Sequence, residues 1–145
     1  MSDTAALAQL ERWMHGWREV WTQQRYDREH VASLFTEDAV YRPEMLLAIE
    51  PVLRGLDEIQ AYLERWGSVV GGEDGTYEFG ERWITGPAAA YEWWGVGELE
   101  GKPVTEAGCV VLVFGPDGRC TDFRDYHQVA EVREAPFPGF GRRLT

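Results

Sequence analysis

The stretch CTDFRDYHQV, residues 120–129, decides how the second half of the chain is read. A β-strand sends successive side chains to opposite faces, so Phe123, Asp125, His127 and Val129 share one face, and Asp122, Arg124, Tyr126 and Gln128 share the other. The first face is apolar except for an acid and an imidazole, about 7 Å apart along the strand. Three more strand-like stretches precede it: TYEFGERWI (76–84), AAAYEWWGVGEL (88–99) and VTEAGCVVLVFG (104–115). The connections TGP, EGKP and GPDG carry the residues of tight hairpin turns. Four strands joined this way make an antiparallel meander. Gly95 and Gly97 would weaken a flat strand but suit one that bends around a cavity.

Upstream, the hydrophobic period changes to that of a helix. Leu7, Leu10, Met14, Trp17 and Trp21 recur at spacings of three and four, which predicts a helix over about 4–24, widened by Trp13 and Val20. His15 falls on its charged face with Glu11 and Arg18, as a solvated residue. Asp27 is placed to cap a short second helix carrying Val31, Leu34 and Phe35, with a structural His30 beside that stripe. AVYR (39–42) is strand-like and Pro43 ends it. After an irregular segment, Ile59, Tyr62, Leu63 and Trp66 mark a third helix over about 56–66, and GSVVGGEDG (67–75) reads as a loop. Helices followed by a meander predict one α+β domain over residues 1–145, with a curved sheet against the helices. The tail APFPGFGRRLT either caps an opening with Phe137 and Phe140 or is disordered.

A formal charge of −11 excludes nucleic acid and anionic membranes as partners, because like charges repel and no Lys/Arg cluster offers a local exception. No apolar run approaches the roughly 18 residues of a membrane span, and nothing at the amino terminus resembles a secretory signal, so a soluble cytoplasmic protein is expected. Cys109 and Cys120 fit neither metal nor redox spacing and read as buried thiols. Seven Trp, six Tyr and six Phe are enough to wall an apolar cavity or an interface.

Asp125 is the leading candidate for chemistry. A carboxylate on an apolar face is desolvated, which raises its pKa toward the range useful to a general acid or base. The alternative is an ion pair with Arg42, Arg82 or Arg54. His127 either positions a substrate oxygen or sits hydrogen-bonded at a cavity rim. One Asp and one His make a poor metal site, and neither Ser33 nor Ser68 lies on a nucleophile turn. In AYEWWGVG, Glu92 and Trp94 share one face and Tyr91 and Trp93 the other; both faces carry aromatics, so periodicity leaves the inward one open. Glu92, if inward, would repel Asp125 and raise one of the two pKa values.

The Trp-bearing first helix, SLFTEDAVY, the RG..EI.AYL helix and GPDGRCTDFRDYHQ, in that order and spacing over about residues 7–130, resemble the SnoaL-like branch of the nuclear transport factor 2-like superfamily. The resemblance implies a cone-shaped α+β barrel, in which a strongly curved, mostly antiparallel sheet wraps three helices around a deep apolar pocket, often in a homodimer. Such folds serve polyketide cyclases, ketosteroid isomerases, scytalone dehydratase, limonene epoxide hydrolase and non-catalytic binding modules. In the cyclases and the epoxide hydrolase an aspartate in the RDY position moves protons, which implies that role for Asp125. Tyr41 matches a tyrosine that helps hold a water in the hydrolase. Ungapped alignment puts Glu92 and Trp94 where the hydrolase has an Arg and an Asp, and Pro43 near its Asn. That leaves the water-activating set incomplete and turns Glu92 and Trp94 inward.

The combined expectation is an enzyme that needs no cofactor or metal and works by acid–base catalysis on a small hydrophobic, cyclic or polyketide-like molecule, in a cyclase, isomerase or dehydratase reaction. Asp125, His127, Glu92 and Tyr41 form the catalytic set, with Trp17, Trp66, Trp83, Trp94 and Phe123 against the substrate. The alternatives are a non-catalytic hydrophobic-ligand-binding module, an epoxide hydrolase-like enzyme with an altered set, and an assembly module whose cavity is filled by side chains.

Overall fold

The computed structural model describes residues 2–46, 51–67, 70–99 and 101–130. Its helices are α1 (Asp3–Thr22), α2 (Arg28–Leu34) and α3 (Gly55–Gly67). Its strands are β1 (Phe35–Arg42), β2 (Leu53–Arg54), β3 (Val70–Thr85), β4 (Ala88–Leu99), β5 (Lys102–Phe114) and β6 (Cys120–Ala130). The Ser2 hydroxyl caps α1 by accepting from the Ala5 amide at 3.2 Å, and Asp27 caps α2 through the His30 amide at 3.2 Å. Both caps satisfy amides that a helix start leaves without partners.

All strands join one sheet in the order β2-β1-β6-β5-β4-β3. The meander β3 to β6 is antiparallel throughout, while β1 pairs with β6 in parallel, Tyr41 opposite Phe123. Register shifts interrupt β3 between Gly71 and Thr76 and again between Phe79 and Arg82, and such bulges bend a strand and increase its twist. The expected α+β architecture is present, a mostly antiparallel sheet against three helices, and the sheet is open with β2 and β3 at its edges. β2 has only two residues before α3 begins, so the β1 side offers no long strand to close on β3.

Residues 70–75, expected as loop, are the first part of β3. The Gly-rich composition there reads as a turn, but pairing of Val70 with Leu99 and Gly71 with Glu98 overrides the local preference. Ser68, Val69 and the tail over 135–145, expected as loop and as a cap or disordered end, lie outside the described residues.

The core forms where α1 crosses the sheet. Leu10, Trp13, Met14, Trp17 and Val20 are buried, as the α1 stripe predicts, whereas Trp21 is only partly buried and Leu7 is exposed. The Trp13 ring lies within 6.4 Å of Phe35, Tyr91, Phe114 and Phe123, so one indole meets four strands. Its N–H donates to the Leu34 carbonyl at 3.0 Å, which satisfies the polar atom of a buried residue. His30 is structural, its Nε2 lying 2.8 Å from the Gly16 carbonyl inside the α1–α2 contact. His15 is exposed and pairs with Glu19 at 3.3 Å. Cys120 is buried, whereas Cys109 is only partly so, and both are free thiols. No helix among the described residues is long and apolar enough to cross a membrane.

Candidate active site

Cross-strand pairing arranges the inner face of the sheet in rows. Tyr91, Val110 and Asp125 form one; Phe79, Trp93, Gly108 and His127 form the next; Tyr77, Gly95, Glu106 and Val129 form a third. Paired residues point to the same face, so these rows bring Asp125, His127 and Glu106 together. Above them, α1, α3 and the end of β1 leave a cavity of about 240 Å³. Trp17, Trp21, Tyr41, Tyr62, Trp66, Tyr77 and Trp93 supply its aromatic wall, and Glu44, Glu106, Asp125 and His127 its ionisable groups.

Asp125 is 7% exposed at the cavity floor. Its Oδ1 accepts from Trp93 Nε1 at 3.2 Å and stands 3.4 Å from His127 Nδ1. The second contact joins the acid and the imidazole at ion-pair distance. Burial pushes the Asp125 carboxyl above its ordinary range, against the opposing pull of His127 and Trp93. For His127, burial disfavours the charge, but the carboxylates of Asp125, Glu106 and Glu44 outweigh it and raise the imidazole to about 9. His127 Nε2 lies 3.9 Å from Glu44 Oε2. Glu106 is likewise pushed up by burial; His127 opposes the rise, and Asp125 and Glu44 add to it. The floor therefore holds a buried acid beside an imidazole, two groups of the kind that exchange protons.

The arginine alternatives for Asp125 do not hold. Arg42 reaches Asp122 at 3.6 Å, Arg82 reaches Glu11 at 3.4 Å, and Arg54 is exposed on β2.

Of the residues singled out in the sequence, Asp125, His127, Tyr41, Trp17 and Trp66 line the cavity. Phe123 is fully buried one row behind, against Trp17 and Tyr41. Glu92, Trp94 and Trp83 require correction. Glu92 pairs with Cys109 and through it with Tyr126, and Trp94 pairs with Ala107 and then Gln128, all on the outer face. Trp83 is 49% exposed there. The inward residues of β4 are Tyr91 and Trp93, because their rings fill the core against Trp13 and Tyr77.

The second carboxylate is thus Glu106, which the sequence reading missed. In VTEAGCVV only strict alternation from the inward Val110 would have found it. Gly108 was missed as well. A Cβ there would lie 2.2 Å from the Tyr126 carbonyl and 2.6 Å from His127 Cβ, so only glycine lets β5 approach the strand that carries the pair. Gly95 and Gly97, read from the sequence as residues of a strand that bends around a cavity, line that cavity.

The profile of the SnoaL-like domain matches residues 10–123. The chain belongs to the SnoaL-like domain family. Among solved structures, it is similar to an LEH-like epoxide hydrolase of M. tuberculosis, with 20% identity, 83% of this chain and 84% of that one covered, and a TM-score of 0.66. A protein with a ketosteroid isomerase-like fold from Catenulispora acidiphila, solved in complex with trimethylamine, has 18% identity, coverage of 79% and 83%, and a TM-score of 0.64. A steroid delta-isomerase of Pseudomonas aeruginosa has 19% identity, coverage of 83% and 80%, and a TM-score of 0.56. At these identities the likeness is one of fold. No curated protein matches the sequence.

Proposed function

We propose that this SnoaL-like protein is an enzyme that needs no cofactor and moves a proton on a small, largely apolar, cyclic or polyketide-like molecule, in a cyclisation, isomerisation or dehydration. The observation that carries the reading is the buried Asp125 carboxylate at the floor of an aromatic cavity, held by Trp93 and paired with His127. Asp125 acts as the general base or acid, His127 shares or relays the proton, and Tyr41 polarises or positions a substrate oxygen. An epoxide hydrolase-like mechanism has less support, since β4 contributes Trp93 and Gly95 to the cavity in place of a charged pair.

The test is hydrogen exchange at carbon. Small cyclic ketones and β-diketones incubated with the protein in D2O should take up deuterium adjacent to the carbonyl, followed by mass spectrometry, and Asp125→Asn should abolish the catalysed uptake. Unchanged uptake with Asp125→Asn would remove the aspartate from the mechanism. The second reading, a binding module, draws on the same aromatic walls and predicts ligands that alter tryptophan fluorescence and are recovered intact whether or not Asp125 is present. The fitting assembly is a cytoplasmic homodimer packed through the outer sheet face, where Trp83 and Val111 are exposed in one cross-strand row; sedimentation would show a dimer that Trp83→Ala weakens.

A further inference from the structure

The cavity does not balance its own charge. Glu44, Glu106 and Asp125 line it, and His127 is the only basic side chain that does so among the described residues. Protonating a carboxyl is one remedy; a positively charged ligand is the other. Aromatic faces favour the second, because the ring quadrupole attracts a cation lying over it, most strongly for Trp. Trp17, Trp21, Trp66 and Trp93 all contribute to the wall. Tyr41, Tyr62 and Tyr77 add further aromatic rings to the same wall.

A metal ion is a poor candidate for the missing charge. Among the described residues, no three His, Cys, Asp or Glu side chains converge closely enough to hold one. Negative charge spread around a wide aromatic chamber suits a bulky organic cation instead.

We propose that the ligand of this cavity is a small, largely apolar molecule bearing a protonated or quaternary amine, whose ammonium group is held between the tryptophan faces and the carboxylates of Glu44 and Glu106. The inference rests on the proposed function only in requiring that the cavity binds a ligand; it needs no catalytic step. The net charge of −11 reinforces it, since the field of the whole molecule draws cations inward. The crowding that pushes the Glu106 carboxyl upward would be relieved by an incoming ammonium, which favours the ionised acid.

The experiment compares benzyltrimethylammonium with neopentylbenzene, its neutral isostere, by tryptophan fluorescence titration of the full chain. The expected result is tighter binding of the cation by about tenfold, with that preference reduced several-fold in Glu106→Gln and Glu44→Gln proteins of unchanged circular dichroism. Equal or tighter binding of neopentylbenzene overturns the amine proposal and leaves the apolar-ligand reading intact. A cation preference undiminished in both glutamine variants also overturns it, by placing the cation elsewhere. Binding of neither probe to natively folded protein sinks this proposal together with the ligand cavity on which it rests.

Discussion

After burial and the neighbouring His127, the indole N–H of Trp93 at the cavity floor also sets how acidic Asp125 can become. The Trp93 donor stabilises the carboxylate, so Trp93→Phe, which keeps the ring and deletes the N–H, should raise the Asp125 pKa further above its ordinary 3.8 and cost about 1 kcal/mol of stability. Carbon-detected NMR titration of the Asp125 carboxyl reads the shift directly; an unmoved titration would mean that the bond does not hold the acid in solution. Phe123 behaves differently although it neighbours the site in sequence. It is fully buried among Trp13, Trp17, Phe35 and Tyr41, so Phe123→Ala should cost about 3–5 kcal/mol in denaturant unfolding, the effect of emptying a large aromatic volume. A loss below 1 kcal/mol would show that the core collapses around the gap.

Strand β5 owes its position to Gly108. A methyl group there meets backbone carbonyl rather than a flexible side-chain end, so Gly108→Ala should cost on the order of 2 kcal/mol or more and part β5 from β6 beside His127. Trp83→Ala on the outer face should change monomer stability by no more than about 0.5 kcal/mol. Equal losses from the two substitutions would contradict the assignment of faces. The elements differ in how far they could be read from sequence for the same kind of reason. In α1 only one side carries the run of Leu10, Met14 and Trp17, and in β6 one face is apolar apart from the Asp125–His127 pair, so periodicity gave both the element and its orientation. In β4 both faces are aromatic, and burial of Tyr91 and Trp93 depends on partners in α1 and β3 that no local pattern contains. The glycines of 71, 72 and 75 suggested a turn because only cross-strand pairing makes that segment a strand. Glu106 escaped notice because a lone acid within a strand reads as surface until the rows of the sheet are assembled.

For the molecule as a whole, His127 couples stability to pH. Its folded-state pKa, about 9, lies above the ordinary 6.5, so its pairing with Asp125, Glu106 and Glu44 stabilises fully below about pH 6.5 and is lost as pH rises toward 9. The difference in Tm between the native protein and His127→Gln should therefore shrink across that window; a constant difference would mean that the imidazole is neutral throughout. The raised pKa of Asp125 acts with the same sign at lower pH, since ionising a buried acid opposes folding. The parallel pairing of β1 with β6 has a temporal consequence as well. On the ribosome Trp17, Tyr41 and Glu44 emerge early, whereas β6, the strand that fills the middle of the sheet and carries Asp125 and His127, emerges after every other element described. A nascent chain halted before residue 120 has a gap where its central strand belongs, and contacts spanning so much sequence form slowly. Synthesis thus completes the middle of the sheet and delivers Asp125 and His127 to the cavity in the same late event.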